Sequence, residues 1–208
     1  MLKINDFDIE DEMEQTSEFD DETHQMQLQR HESGGLPSAI EVIISGYLFN
    51  FVYPNNLGWL FGANADFEVE GFKPKGKRKF GNSNPGPGQK DRTGRRQPDV
   101  AFVSKAHLPA LPRGAVKVVP DLVVEVYSET DDQYDMSDKV KEYLAVGVPL
   151  IWVVRPVDKL IEVYRADAEV PTLLGIKSEL DGGNVLPGFK LALTEIFGKV
   201  VEATEDEE

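Results

Sequence analysis

The 208-residue chain contains no cysteine, which excludes disulfides, a thiol nucleophile and any cysteine-ligated zinc or iron–sulfur site. Its only histidines, His24, His31 and His107, are scattered, so neither a histidine metal site nor a histidine-based triad is supported. No apolar run approaches the roughly 20 residues that cross a bilayer, and the start of the chain is acidic where a signal peptide would be basic and then apolar. A soluble, cytoplasmic protein without a membrane partner is expected. Basic residues are also scarce, with 22 Lys and Arg against 37 Asp and Glu for a formal charge of −15. Such acidity, read whole, argues against indiscriminate binding of nucleic acid.

The charge is unevenly placed. Residues 1–34 hold eleven acids against Lys3 and Arg30, and residues 201–208 hold five acids and no base, so the 166 residues between them sum to only −1. The first 34 residues lack any sustained apolar period and read as an acidic, disordered leader, and 201–208 as an acidic tail. Residues 35–200 then have the length of one domain with its own core. Ile40, Ile43, Ile44, Tyr47, Leu48 and Phe51 form one helical stripe, predicting a helix over about 37–52. Trp59 to Glu70 has strand-like alternation in its second half, and 71–97 reads as a loop.

Residues 97–104 (QPDVAFVS) read as a strand entered through Pro98, and 120–128 (PDLVVEVYS) as one buried on both faces. A helix over 136–147, capped by Asp135 and closed by Gly147, leads into the strand 150–155. Residues 121–155 thus make a strand–helix–strand unit whose strands should be parallel and whose crossover should be right-handed. Residues 160–166 suggest an added antiparallel strand.

Asp99, Glu125 and a lysine shortly after them are the residues with a chemical use. Two acids on neighbouring strands can hold Mg²⁺, which takes oxygen ligands and keeps several waters. Such a cation polarises a phosphodiester and activates an attacking water, which a nearby ammonium can orient. The Val126 backbone carbonyl could add a ligand. Asp121 is a poor partner for Glu125, because four residues along a strand separate them by roughly 13 Å. A carboxylate inside Leu-Val-Val-x-Val-Tyr needs a cation, a metal or solvent, so an ion pair with Lys139 is the plain structural alternative for Glu125. Asp99 and Asp121, each after a proline, could equally be turn residues. Lys141 and Glu142 read as a solvated helix face, and Tyr143 and Trp152 as core.

Pro98-Asp99-Val, then Pro120-Asp121-Leu-Val-Val-Glu125-Val-Tyr-Ser128, then Lys139-Val-Lys-Glu-Tyr143-Leu-Ala-Val-Gly147-Val-Pro-Leu-Ile-Trp152 resembles the Uma-type restriction endonuclease family, a branch of the PD-(D/E)xK nuclease superfamily. The likeness covers most of residues 36–198, including Gly182-Gly183-Asn-Val-Leu-Pro187-Gly188-Phe189. It implies an α/β restriction-endonuclease-like core, a central mixed sheet flanked by helices, with a Mg²⁺ or Mn²⁺ site at one sheet edge. The usual E-x-K is broken, because Tyr127 stands where the lysine would be. Periodicity leaves Lys139 and Lys141 equivalent, each roughly 100° from the apolar stripe. The resemblance favours Lys139, and matches Glu41 of the first helix to an auxiliary metal-site acid.

Within residues 72–96, nine bases face only Asp91. Lys73, Lys75, Lys77, Arg78, Lys79, Arg92, Arg95 and Arg96 suit a clamp on the DNA phosphate backbone, flexible through the GNSNPGPG run at 81–88. A partner for the acidic ends, or a solubilising insertion, would account for the same residues. Two functional readings follow: a metal-dependent DNA endonuclease, or an inactive nuclease-fold module binding nucleic acid or protein through this loop. A homodimer would suit double-strand cleavage.

Overall fold

The computed structural model describes residues 34–72, 94–128 and 133–198, with side chains from Met136 onward in the last stretch. The acidic leader, most of the basic loop and the acidic tail lie outside the described residues. Ile40, Ile44, Leu48 and Val52 recur every fourth residue and are all buried in helix α1 (Gly35–Val52), as one face of a 3.6-residue repeat requires. By length and composition α1 is apolar enough to cross a membrane, and that apolarity is spent in part on this buried stripe. Pro54, which has no N–H, follows the helix end.

The expected strand from Trp59 to Glu70 is two pieces, β1 (Gly58–Gly62) and β2 (Phe67–Glu68). β1 lies so close to its neighbour that a Cβ on Gly58 would stand 2.2 Å from the Val103 carbonyl oxygen, so only glycine fits. β2 pairs with β3 (Arg95–Arg96), so the end of the basic loop carries backbone order that its composition hides. β4 (Val100–Ser104), β5 (Leu122–Val126), β6 (Leu150–Arg155), β7 (Leu160–Arg165) and β8 (Thr172–Gly175) complete a six-stranded mixed sheet in the order β1-β4-β5-β6-β7-β8. β5 and β6 are parallel, as the strand–helix–strand reading requires.

Helix α2 (Gln133–Ala145) connects them, starting before the position expected, so Asp135 lies in its first turn and not ahead of it. Gly147, at φ 93°, supplies the left-handed residue just past its end. A separate two-stranded sheet, β9 (Glu179–Asp181) with β10 (Lys190–Ala192), precedes the short helix α3 (Leu193–Phe197).

Each face of the sheet has its own core. Leu122, Val124 and Val126 of β5 join α1, α3 and Trp152 on one side. Val123 joins Met136, Val140 and Tyr143 of α2, with Phe67 and Phe72, on the other. Alternation along β5 therefore turns Glu125 toward α2.

Candidate active site

Every residue of β5 is buried, and Glu125 is only 1% exposed. A lone carboxylate there would cost several kcal/mol, and α2 supplies two donors against that cost. The Tyr143 hydroxyl donates to Oε1 at 2.6 Å, and the Lys139 ammonium donates to Oε2 at 3.0 Å. One helical turn separates these donors, so both fall on the helix face toward β5. Burial nevertheless raises the Glu125 carboxyl above its ordinary range; Lys139 opposes this, and the nearby negative charge of Asp99 adds to it. The Tyr143 phenol is pushed well above its ordinary 10, first by burial and then by Glu125.

Asp99 stands immediately ahead of the neighbouring strand β4, and its Oδ2 accepts the Val126 N–H at 2.6 Å. The Lys105 N–H donates to the Leu57 carbonyl across the β1 side, so even-numbered residues of β4 direct their backbone groups at β5. The β4–β5 ladder ends at the Val100–Val124 pair, and beyond it the Val126 N–H goes to the Asp99 side chain. Pro98 has no N–H with which to extend the ladder to the Val126 carbonyl.

Lys139 is the lysine on Glu125, whereas Lys141 is 72% exposed and pairs with Asp138. Asp121 stands at the opposite end of β5, where its carboxylate accepts the Ser104 N–H and pairs with His107. Glu41 belongs to α1, on the other face of the sheet; its own burial raises its carboxyl, and among the described residues no three His, Asp or Glu form a metal-holding group. The acids that converge are Asp99 and Glu125.

Lys73, Lys75, Lys77, Arg78, Lys79 and Arg92 lie outside the described residues. Arg95 is 57% exposed and pairs at 3.6 Å with both Asp66 and Glu68. Arg96 turns inward. It pairs with Glu142 of α2, with both side chains nearly buried, and its guanidinium lies 5.8 Å from the centre of the Phe72 ring. Glu142 is therefore not the solvated residue that helical spacing implied. Phe72 meets the Tyr143 ring edge-on at 5.8 Å, and its carbonyl accepts the Gly94 N–H, so the two ends of the basic loop meet against α2.

At Tyr127, the position of the missing lysine, the Arg155 guanidinium lies 5.0 Å from the ring centre and is held by Glu162. Glu162 also accepts the Tyr164 hydroxyl, which raises that phenol to about 12, after burial as the larger cause. This group escapes sequence reading because its members come from three strands.

The chain matches the family described as Uma2, putative restriction endonuclease, over residues 7–194. It belongs to the Uma2 family. A crystal structure of a putative nuclease belonging to DUF820 from Anabaena variabilis ATCC 29413 shares the fold, with a TM-score of 0.61 and 15% identity over 79% of this chain and 82% of that one. No curated protein sequence matches the chain. In this Uma2 protein the residues present fit a hard divalent cation: a buried carboxylate, a second one on the adjoining amide, and the main-chain carbonyl of Val126, past the last pair of the β4–β5 ladder. Three protein oxygens of this kind suit Mg²⁺, which retains several waters.

Proposed function

We propose that the protein is a metal-dependent DNA endonuclease of the PD-(D/E)xK type, with Asp99, Glu125 and the Val126 carbonyl as the Mg²⁺ or Mn²⁺ ligands. One observation carries this reading: Asp99 and Lys139, 40 residues apart in sequence, reach the same end of β5, Lys139 on the buried Glu125 carboxylate and Asp99 on the amide of the next residue. When bound, the cation supplies Lewis acidity, polarising the phosphodiester and easing deprotonation of the attacking water. Asp99 additionally fixes the Val126 amide and hence the end of β5. Lys139 sits on Glu125 Oε2 with its side chain 35% exposed, so its ammonium can leave toward solvent and offset charge developing on phosphorus. The family membership supports a nucleic-acid substrate.

Plasmid cleavage with and without Mg²⁺ tests the reading. Asp99→Ala and Glu125→Ala should each lower Mg²⁺-dependent cleavage at least about 100-fold, the scale expected when a main electrostatic contributor to the transition state is lost, with circular dichroism unchanged. Equal cleavage by the wild type and both variants eliminates the site.

The second reading, a nuclease fold without activity that binds nucleic acid or protein through the basic loop, draws on Tyr127 and on the closed Lys139–Glu125 pair. Salt-sensitive DNA binding with no response to Mg²⁺ or Mn²⁺ would favour it.

A further inference from the structure

Glu125 is held by two donors of different character, and each takes a different oxygen. Lys139 reaches Oε2 along a flexible stem that is 35% exposed. Tyr143 reaches Oε1 from a wholly enclosed ring, 1% exposed, whose hydroxyl has no path to solvent comparable to that of the ammonium. Its ring is bracketed on the outside by Phe72, edge-on at 5.8 Å, and the adjacent Glu142 is tied to Arg96. Phe72 and Arg96 are the two ends of the basic loop, joined by the Gly94 N–H to Phe72 carbonyl bond. The fixed donor is therefore locked by the loop's stem, and the movable donor is the one facing water.

We propose that Tyr143 is a positioning residue: it pins Glu125 Oε1 so that Oε2, now occupied by Lys139, is the oxygen presented to an incoming divalent cation. This rests on Asp99 and Glu125 being the cation site. A hydrogen-bond donor on the far oxygen of a metal-binding carboxylate fixes its orientation, and removal of such a partner typically weakens binding about 10–100-fold. Lys139 then acts as a stand-in cation, displaced on binding, while the Tyr143 bond persists.

The test is Mn²⁺ binding by the full-length chain, followed through the free-ion electron paramagnetic resonance signal, for wild type, Glu125→Gln and Tyr143→Phe. Phenylalanine keeps the ring against Phe72 and removes only the hydroxyl. Tyr143→Phe should weaken Mn²⁺ binding about 10–100-fold, whatever the metal-free melting temperature loses with the buried hydrogen bond. A merely structural hydroxyl would lower the melting temperature and leave Mn²⁺ affinity intact, and that result overturns the proposal. If wild type binds Mn²⁺ no better than Glu125→Gln, the cation site itself is wrong and the proposal goes with it. Should Tyr143→Phe fail to fold, wild-type chain carrying ¹³C at tyrosine Cζ decides the question. The Tyr143 resonance should shift on Mg²⁺ addition and stay put in Glu125→Gln, whereas an unresponsive wild-type resonance counts against it.

Discussion

Glu125 is a residue whose ionised form the fold tolerates at a cost. Its carboxyl is raised by burial more than Lys139 lowers it. A raised carboxyl binds its proton more tightly folded than unfolded, so its contribution to stability is full below the ordinary carboxylate range and falls as pH rises through the raised value. Glu125→Gln keeps the shape and removes the charge, and Lys139 is partly exposed, so its ammonium stays within reach of water. The variant should therefore melt higher than wild type at pH 7–8, by a few degrees for about 1 kcal/mol in a chain of this size, with the gap closing toward pH 4. Thermal melts across that range check it, and a variant less stable at neutral pH would mean that the Lys139 pair outweighs desolvation. Much of this residue was legible, because an acid in a continuous apolar run needs a partner. The Tyr143 bond was not, since a tyrosine at a core position of a helix looks the same whether or not its hydroxyl has a task.

Among the elements, the strand–helix–strand unit β5–α2–β6 was open to reading because its periods are clean: an apolar run, a 3.6-residue stripe, another run. Sequence period left Lys139 and Lys141 equivalent, and the rotation of α2 against β5 separates them, placing Lys139 on Glu125 and Lys141 in water. The β2–β3 ribbon was hidden, since two-residue strands have no period to detect. Arg96, within that ribbon, makes the stem of the basic loop structural as well as cationic. Arg96→Met alone takes the guanidinium away from a nearly buried Glu142 and should cost about 3 kcal/mol, whereas Arg96→Met with Glu142→Met should recover most of that loss. Urea denaturation of the two variants provides the comparison; equal instability would place the cost in lost packing on Phe72 instead of in charge.

For the whole molecule the partition of charge matters more than its total. The ends carry eleven acids against two bases and five acids against none, while residues 72–96 carry nine bases against one acid. If the protein binds DNA through that basic loop, the leader competes for the same cations. Removal of residues 1–34 should then tighten binding of a short duplex several-fold near 50 mM salt and have little effect near 200 mM, where phosphate contacts are themselves weakened. Fluorescence anisotropy at the two salt concentrations measures this, and unchanged affinity at low salt refutes it.

What the sequence determined alone was composition-driven: no thiol chemistry, an α/β core with parallel strands around one helix, an acid that had to be partnered, and a family likeness that the 7–194 match bears out. These are properties of neighbours along the chain, where apolar period and residue chemistry speak directly. Tertiary structure decided what depends on strand register and helix rotation: that Asp99 holds the Val126 amide, that the β4–β5 ladder ends at Val100 and Val124, and that Tyr143 and Lys139 divide the two oxygens of Glu125. One residue of slip in β4, or a modest turn of α2, would leave every local pattern intact and disperse the site, because side-chain direction reverses at each strand position and advances 100° at each helical one.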